Sequence, residues 1–203
     1  FHVGGMFARL GRSARLQATT VTMSGALVRN DALVNLDDEG GFASLDGLYL
    51  AFGRSHVDNH THITHNAPHC VSREHYKGVL GDRGHAVFHG RIVVQPGAQK
   101  TDSVQNNQNL LLSADAEIDT KPQLEIYADD VKCAHGATVG QLDETAVFYL
   151  MSRGIDRQAA RRMLTQAFAA DVLNRIELPA LRSYLEAQAV QRLSSEQIPE
   201  SES

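Results

Sequence analysis

The chain has 203 residues, with 19 Lys plus Arg against 24 Asp plus Glu, a formal net charge of −5 and 42% hydrophobic residues. A globular chain of this length can bury about 70% of its extended surface, so neither a metal nor a disulfide is needed merely to hold it together. The acidic balance argues against nucleic acid and anionic membranes as partners, and no stretch approaches the roughly 18 apolar residues of a membrane-spanning helix. With no basic-then-apolar signal sequence, we predict a cytoplasmic protein with two thiols. Because the chain opens at Phe1, we expect an N-terminal part of the protein to be missing.

Short runs rich in Val, Ile, Leu, Thr and Tyr recur between clusters of Gly, Asp and Asn before residue 141. Their spacing of roughly 8 to 15 residues predicts the strands of a β-sandwich or a β-solenoid. The runs are 17–24, 26–36, 43–52, 57–65, 85–94, 109–113, 123–128 and 131–139. We favour a parallel β-helix over residues 1–140, with the sandwich as the alternative, and interpret the Asn- and Gln-rich run 105–109 as a corner between stacked coils.

The pattern becomes helical after residue 141, which predicts a small C-terminal helical domain over residues 141–193. Asp143 is the expected N-cap of a short helix that ends near Gly154, and Asp156 that of a longer helix over 157–176. Pro179 fits the first turn of a third helix. Residues 194–203 are polar and acidic, and we predict a disordered tail there.

The longer predicted helix carries one apolar face, formed by Ala160, Met163, Leu164, Ala167, Phe168, Val172 and Ile176. A helical unit this small cannot bury such a face alone, so the face either packs on the β region or contacts a partner. On the second interpretation the partner-binding residues are Met163, Leu164, Ala167 and Phe168. Arg161 and Gln166 are then expected to be exposed beside them.

Eight of the ten histidines lie between positions 56 and 89. Four side chains that alternate along one predicted strand would project from a single face: His56, Asp58, His60 and His62. Imidazoles and a carboxylate are transition-metal ligands, but strand residues two apart are too widely separated to share an ion unless another strand adds ligands. The alternative is a polar outer face of a solenoid. His65, His69 and Cys70 flank Pro68 and are predicted to form a corner.

The Cys133-Ala134-His135 segment places a thiol and an imidazole on the same side of a predicted strand. These ligand types suit iron, zinc or an iron-sulfur cluster. Two ligands do not complete a site, so on this interpretation the others come from another chain. A catalytic Cys-His pair and an ordinary structural role are the alternatives, and no nucleotide-binding motif is present because Gly97 and Lys100 are too far apart for a phosphate loop.

Three segments carry a family resemblance: QPGAQKTD at 95–102, NLLLS at 109–113 and PQLEIYADDVKCAHGAT at 122–138. They resemble the SufB/SufD family of iron-sulfur cluster assembly proteins, and the likeness covers most of residues 56–176. Within that family, the segment around Cys133 and His135 is more similar to the SufD type than to the SufB type. We interpret the chain as a C-terminal portion of such a protein.

The resemblance implies a right-handed parallel β-helix and a non-enzymatic scaffold in a cytoplasmic complex of SufB, SufC and SufD, with ATP hydrolysis in SufC. It implies that a transient iron-sulfur cluster is shared with SufB, that His135 is the principal ligand with Cys133 in support, and that the isolated chain holds none. It also implies that the C-terminal helices bind SufC. A homodimer of the isolated chain is left open, and the alternative function is a metal-dependent β-helix enzyme that uses the histidines at 56–69.

Overall fold

Ten β-strands followed by three α-helices make up residues 1–195, which are the part of the chain that the computed structural model describes. The strands are β1 (His2–Leu10), β2 (Arg15–Thr22), β3 (Leu27–Leu36), β4 (Phe42–Ala51), β5 (His56–His65), β6 (Val71–Leu80), β7 (His85–Val94), β8 (Asp102–Leu111), β9 (Glu117–Ile126) and β10 (Lys132–Gly140). The helices are α1 (Glu144–Met151), α2 (Arg157–Leu173) and α3 (Pro179–Ser195). No helix within residues 1–195 is long and apolar enough to cross a membrane.

The strands form two parallel sheets that face each other. The odd sheet has the order β1-β3-β5-β7-β9, and the even sheet has the order β10-β8-β6-β4-β2. Each coil therefore contributes one strand to each sheet. The coils also lengthen along the chain, as the numbers of paired residues show: His2 of the first coil pairs with Val28 of the second, and His85 of the fourth coil pairs with Glu117 of the fifth. This five-coil solenoid confirms the predicted parallel β-helix and excludes the sandwich alternative, whose strands would be antiparallel.

Two strands were not predicted, and one predicted corner is wrong. β1 and β6 are absent from the sequence-based set, and β8 runs straight through the Asn- and Gln-rich segment. Gln105, Asn107 and Asn109 point into the solenoid and are at most 3% exposed. Their amides are accommodated because they bond to buried partners: the Asn107 amide donates to the Tyr49 hydroxyl at 3.1 Å, and that hydroxyl donates to Asn109 Oδ1 at 2.5 Å.

The corners between the odd and the even strands are linked by a ladder of left-handed residues. Ser13, Gly40, His69 and Lys100 all have positive φ. The N–H of each donates to a carbonyl of the next coil, as from His69 to Gln99 at 2.9 Å. His69 and the buried Cys70 thus belong to a corner, as predicted, whereas His65 ends strand β5 and lies inside the solenoid.

The helices begin where the sequence predicts. The Asp143 and Asp156 side chains accept hydrogen bonds from the backbone N–H groups of Thr145 and Ala159, and Gly154 has φ +87° just beyond α1. α2 ends at Leu173, earlier than predicted, and α3 includes residues 194 and 195 of the predicted tail. The rest of that tail lies outside the described residues.

Helices α2 and α3 pack on the outer face of the even sheet. The shared apolar core draws on both: Leu48, Leu50, Phe52, Val79, Leu110 and Leu112 from the sheet strands and their ends, and Ala169, Val172, Leu173, Ile176, Ala189 and Leu193 from the helical part. At the edge of this core His75 and Lys77 of β6 both contact the Asp171 carboxylate, at 2.9 and 2.8 Å. These polar residues interrupt the apolar pattern of β6, which is why the sequence did not reveal that strand.

The predicted apolar face of α2 is rotated from the true one. Arg161 and Thr165 are buried, while Met163 is 47% exposed and Ala167 is exposed too. Arg161 was expected to be exposed, but its guanidinium bonds to the Glu144 carboxylate at 2.8 Å, and the Thr165 hydroxyl bonds back to the Arg161 carbonyl at 2.9 Å. Because the Arg161 guanidinium is paired with α1 and the Thr165 hydroxyl with its own helix, both residues can occupy buried positions that a pattern of apolar residues assigns elsewhere.

Two ionisable groups inside the solenoid should make stability depend on pH in opposite senses. Burial raises the pKa of Glu74 from 4.5 to about 7, and burial lowers the pKa of His65 from 6.5 to about 4. As pH rises from 4.5 to 7 the unfolded chain loses the Glu74 proton while the folded chain keeps it, so the free energy of unfolding falls. As pH drops from 6.5 to 4 the unfolded chain protonates His65 and the folded chain does not, so the free energy of unfolding also falls.

Glu74→Gln should therefore steepen the loss of stability toward pH 4, and His65→Leu should steepen the loss toward pH 7. Between its unfolded-state and its folded-state pKa, each group changes the free energy of unfolding by up to about 1.4 kcal/mol per pH unit. Urea unfolding of both variants between pH 4 and 8 measures this. Curves that run parallel to that of the parent chain would show that these groups do not set its pH dependence.

Candidate metal-ligand site

Strand β10 is an edge strand at the end of the solenoid. It pairs with β8 along its whole length, and within the described residues it is the last strand of the even sheet. Eight of its nine residues are exposed, Cys133 being the half-buried exception. Its far side presents unpaired backbone N–H and C=O groups, which are the groups that another strand pairs with.

Cys133 and His135 lie on the side of β10 that continues the interior of the solenoid. Cys133 packs against the interior core and is in register with Ser103, and His135, two residues on, is in register with Gln105. Both neighbours are fully buried. The coil that would cover them in a longer solenoid is absent from the described chain, so the thiol and the imidazole lie at its open end.

The two side chains differ in burial. Burial raises the pKa of the Cys133 thiol; the backbone N–H of Ser103 acts against this, and the nearby Asp102 carboxylate adds to it. The thiol therefore favours its protonated form, while only a thiolate is a strong ligand. His135 is exposed. The two predicted ligands thus share one side of the strand, one half-buried and the other open to solvent.

His56, His60 and His62 take the alternative form considered above, a polar outer face. Strand β5 alternates half-buried and buried residues, so His56, His60 and His62 point outward from the odd sheet. They contact neighbours rather than one another: the Nδ1 atoms of His56 and His85 are 2.8 Å apart, and Asp58 is ion-paired with Arg29. In residues 1–195 no three His, Cys, Asp or Glu side chains are placed to hold a metal ion.

Chelation should leave the stability of this chain unchanged. The coils are held by parallel ladders and a continuous apolar interior, neither of which depends on a metal. We expect the thermal unfolding midpoint with excess EDTA to equal that without it, because only a structural metal site would make a chelator denature the chain. A fall of several degrees would instead assign a structural ion to the outer histidines.

The residues beneath Cys133 and His135 were not predicted from the sequence. Gln105 and Glu74 lie in the same interior ladder as His135, one and two strands further in. The period-two alternation of Gln105, Asn107 and Asn109 was the available signal, because alternating amides are typical of one face of a strand.

These features define a class of protein: a parallel β-helix with packed C-terminal helices and a Cys-His pair, predicted to bind a metal, on an open terminal strand. A family model described as "SUF system FeS cluster assembly, SufBD core domain" matches residues 1–168. The match begins at residue 1, so it extends the resemblance predicted for 56–176 over the first coils.

Curated relatives agree with this match. The chain is 41% identical to the iron-sulfur cluster assembly protein SufD of Escherichia coli over 184 residues, which are 91% of this chain and 44% of that protein. It is 37% identical to an iron-sulfur cluster assembly SufBD family protein of Synechocystis, over 91% of this chain and 41% of that protein. It is 28% identical to SufD of Bacillus subtilis, over 88% of this chain and 41% of that protein.

The chain therefore belongs to the SufBD family and is a homologue of SufD. It spans less than half the length of these relatives.

Proposed function

We propose that this chain is part of a scaffold subunit for iron-sulfur cluster assembly and that it supplies one side of a cluster-binding site at a subunit interface. The observation that carries the proposal is the incomplete ligand pair, Cys133 and His135, on an exposed edge strand. The names of its relatives refer to iron-sulfur cluster assembly, in which an iron-sulfur cluster is the cargo. Thiolate and imidazole are both known ligands of such clusters.

The partner that completes the site is SufB in this proposal. An edge strand with unpaired backbone groups can add a strand from another chain, and a second solenoid end that pairs with β10 would bring its own ligands beside His135. In the absence of SufB the same edge is available to a second copy of this chain. A transient site between two chains also allows movement of either partner to expose or release the cluster.

The experiment that tests this proposal is co-purification of the full-length protein with SufB and SufC, followed by measurement of bound iron and sulfide. Substitution of His135 is the decisive variant, because it removes the principal proposed ligand. The alternative function, a metal-dependent enzyme using the outer histidines, predicts that iron content follows His60 and His62 instead of His135.

SufC is the proposed partner of the helical part. The exposed side of α2 carries Met163 and Ala167, with the half-buried Leu164 next to them, whereas Phe168 lies under Lys77, whose Nζ is 4.4 Å from its ring centre. An exposed apolar strip on a helix whose other side is already buried is typical of a docking surface. ATP hydrolysis then belongs to SufC, and this subunit transmits the resulting movement.

Met163→Asp should weaken SufC binding by about tenfold or more, since a charge in an apolar contact costs more than about 1.4 kcal/mol. The matched control is Gln158→Asp, which adds the same charge to an exposed position of α2 roughly 140° around the helix. Isothermal titration of SufC into each full-length variant measures the affinity. Equal affinities for the two variants would remove this side of α2 from the interface.

A further inference from the structure

The ladder that ends at His135 contains two polar side chains inside the solenoid. Glu74 of β6 is in register with Gln105 of β8, and Gln105 is in register with His135 of β10. Neighbouring strands lie about 4.8 Å apart, so Gln105 is the direct neighbour of His135 on the interior side. Glu74 and Gln105 are 2% and 0% exposed, and other buried polar side chains, Ser103 and Asn107 among them, face the same interior.

The Gln105 amide is held in one orientation. Its Nε2 donates a hydrogen bond to Glu74 Oε2 at 2.5 Å. Across the interior, a Cβ atom at Gly90 would overlap Nε2, so the glycine leaves the space that the amide occupies. Because Glu74 Oε2 accepts from the nitrogen end of the amide, which a carboxyl oxygen can do with or without a proton on the group, this contact directs the nitrogen inward and determines which end remains free.

The free end of the amide is an unused acceptor. Gln105 Oε1 is buried and has no hydrogen-bond partner within the described residues. Leaving such a group unpaired is destabilising, so a buried acceptor without a partner beside the proposed ligand needs an explanation. The next side chain along the ladder is His135, an imidazole whose ring carries an N–H.

Histidines that bind metals almost always donate their second ring nitrogen to a carboxylate, a carbonyl or a water, which fixes the tautomer and the direction of the ring. An amide carbonyl on the strand below His135 is such an acceptor. We propose that Gln105 is a positioning residue for His135, in which Oε1 accepts from one ring nitrogen and leaves the other free to bind iron at the interface with SufB. This inference rests on the proposed function, since it assigns a support to the proposed ligand.

The test measures Fe²⁺ affinity of the full-length protein in complex with SufB and SufC, by anaerobic competition with a chelator. Gln105→Met keeps the apolar volume and removes the acceptor, and it should weaken Fe²⁺ binding about 10- to 100-fold. Gln105→Glu keeps an oxygen at the same place and should restore affinity to within about threefold of the parent. Gln108→Met, on the outward side of the same strand, is the matched control and should change nothing.

The two variants separate positioning from a merely structural role. If Gln105 only filled the interior, Met would be the better replacement, because Glu adds a second buried carboxyl beside Glu74. The proposal therefore expects thermal stability to favour the Met variant and Fe²⁺ affinity to favour the Glu variant. The same order in both measurements would overturn it.

Two further variants make every outcome informative. Should Gln105→Met fail to assemble, Gly90→Ala displaces the amide without removing it, and unchanged affinity in that variant would equally overturn the inference. His135→Ala distinguishes failure of the positioning role of Gln105 from failure of the proposed function. Loss of Fe²⁺ binding in His135→Ala with parent affinity in Gln105→Met sinks only the positioning role, whereas parent affinity in His135→Ala sinks the proposed function itself.

Discussion

His135→Ala in the full-length protein should lower the iron and sulfide content of the complex with SufB and SufC by about tenfold or more. The imidazole is exposed on an edge strand and makes no contribution to the apolar interior, so its loss should remove a ligand without disturbing the fold. Cys133→Ser should reduce the content less, because burial raises the pKa of the thiol and the family resemblance assigns the principal role to the imidazole.

The control for this result is Lys132→Ala, which changes an exposed residue on the same strand. It should give the parent content of iron and sulfide, and all three variants should co-purify with SufB and SufC in the parent ratio. A correctly assembled His135→Ala complex with normal iron and sulfide would show that the residue is not a ligand.

Leu173→Ala should lower the free energy of unfolding of the whole chain by about 2–5 kcal/mol, the range for removal of a buried leucine side chain. Leu173 is 1% exposed and lies in the core that the helices share with the even sheet. The expected observation is a single urea transition, followed by circular dichroism and by tyrosine fluorescence, that moves to lower urea with both signals together.

Met163→Ala is the matched control, because Met163 is on the same helix but half exposed; its effect should stay within about 0.5 kcal/mol. Two separate transitions in Leu173→Ala would contradict a shared core. They would instead support the division predicted from the sequence, with the solenoid over 1–140 and an independent helical domain over 141–193.

The class of fold could be predicted from the sequence because strand-forming runs and helix caps are local signals. Asp143 and Asp156 define helix starts through contacts with residues two and three positions away. The number of coils could not be predicted, since the coils differ in length and leave no strict repeat. β6 was hidden for a different reason: its outward His75 and Lys77 are matched by Asp171, which lies far along the chain in α2.

The shared side of Cys133 and His135 could be predicted from the sequence, but the orientation of Gln105 next to them could not. That Cys133 and His135 share a side of a strand follows from their spacing alone. The orientation of Gln105 depends on Glu74 and Gly90, which lie on two other strands in different sheets. Such contacts are set by how the coils stack, and a single sequence contains no local trace of them.

The stacking of coils also determines where the chain opens first. Each coil touches mainly the coil before and the coil after it, so the last one gains neighbour contacts from a single side, and helices α2 and α3 cover the outer faces of β4, β6 and β8 but not of β10. In a one-dimensional array of this kind, terminal units open at a lower free energy than central ones. Amide hydrogen exchange should therefore be faster in β9 and β10 than in the central strands β5 to β8. Binding of a partner to that end would slow it, so assembly of the complex and ordering of β10 would be coupled equilibria.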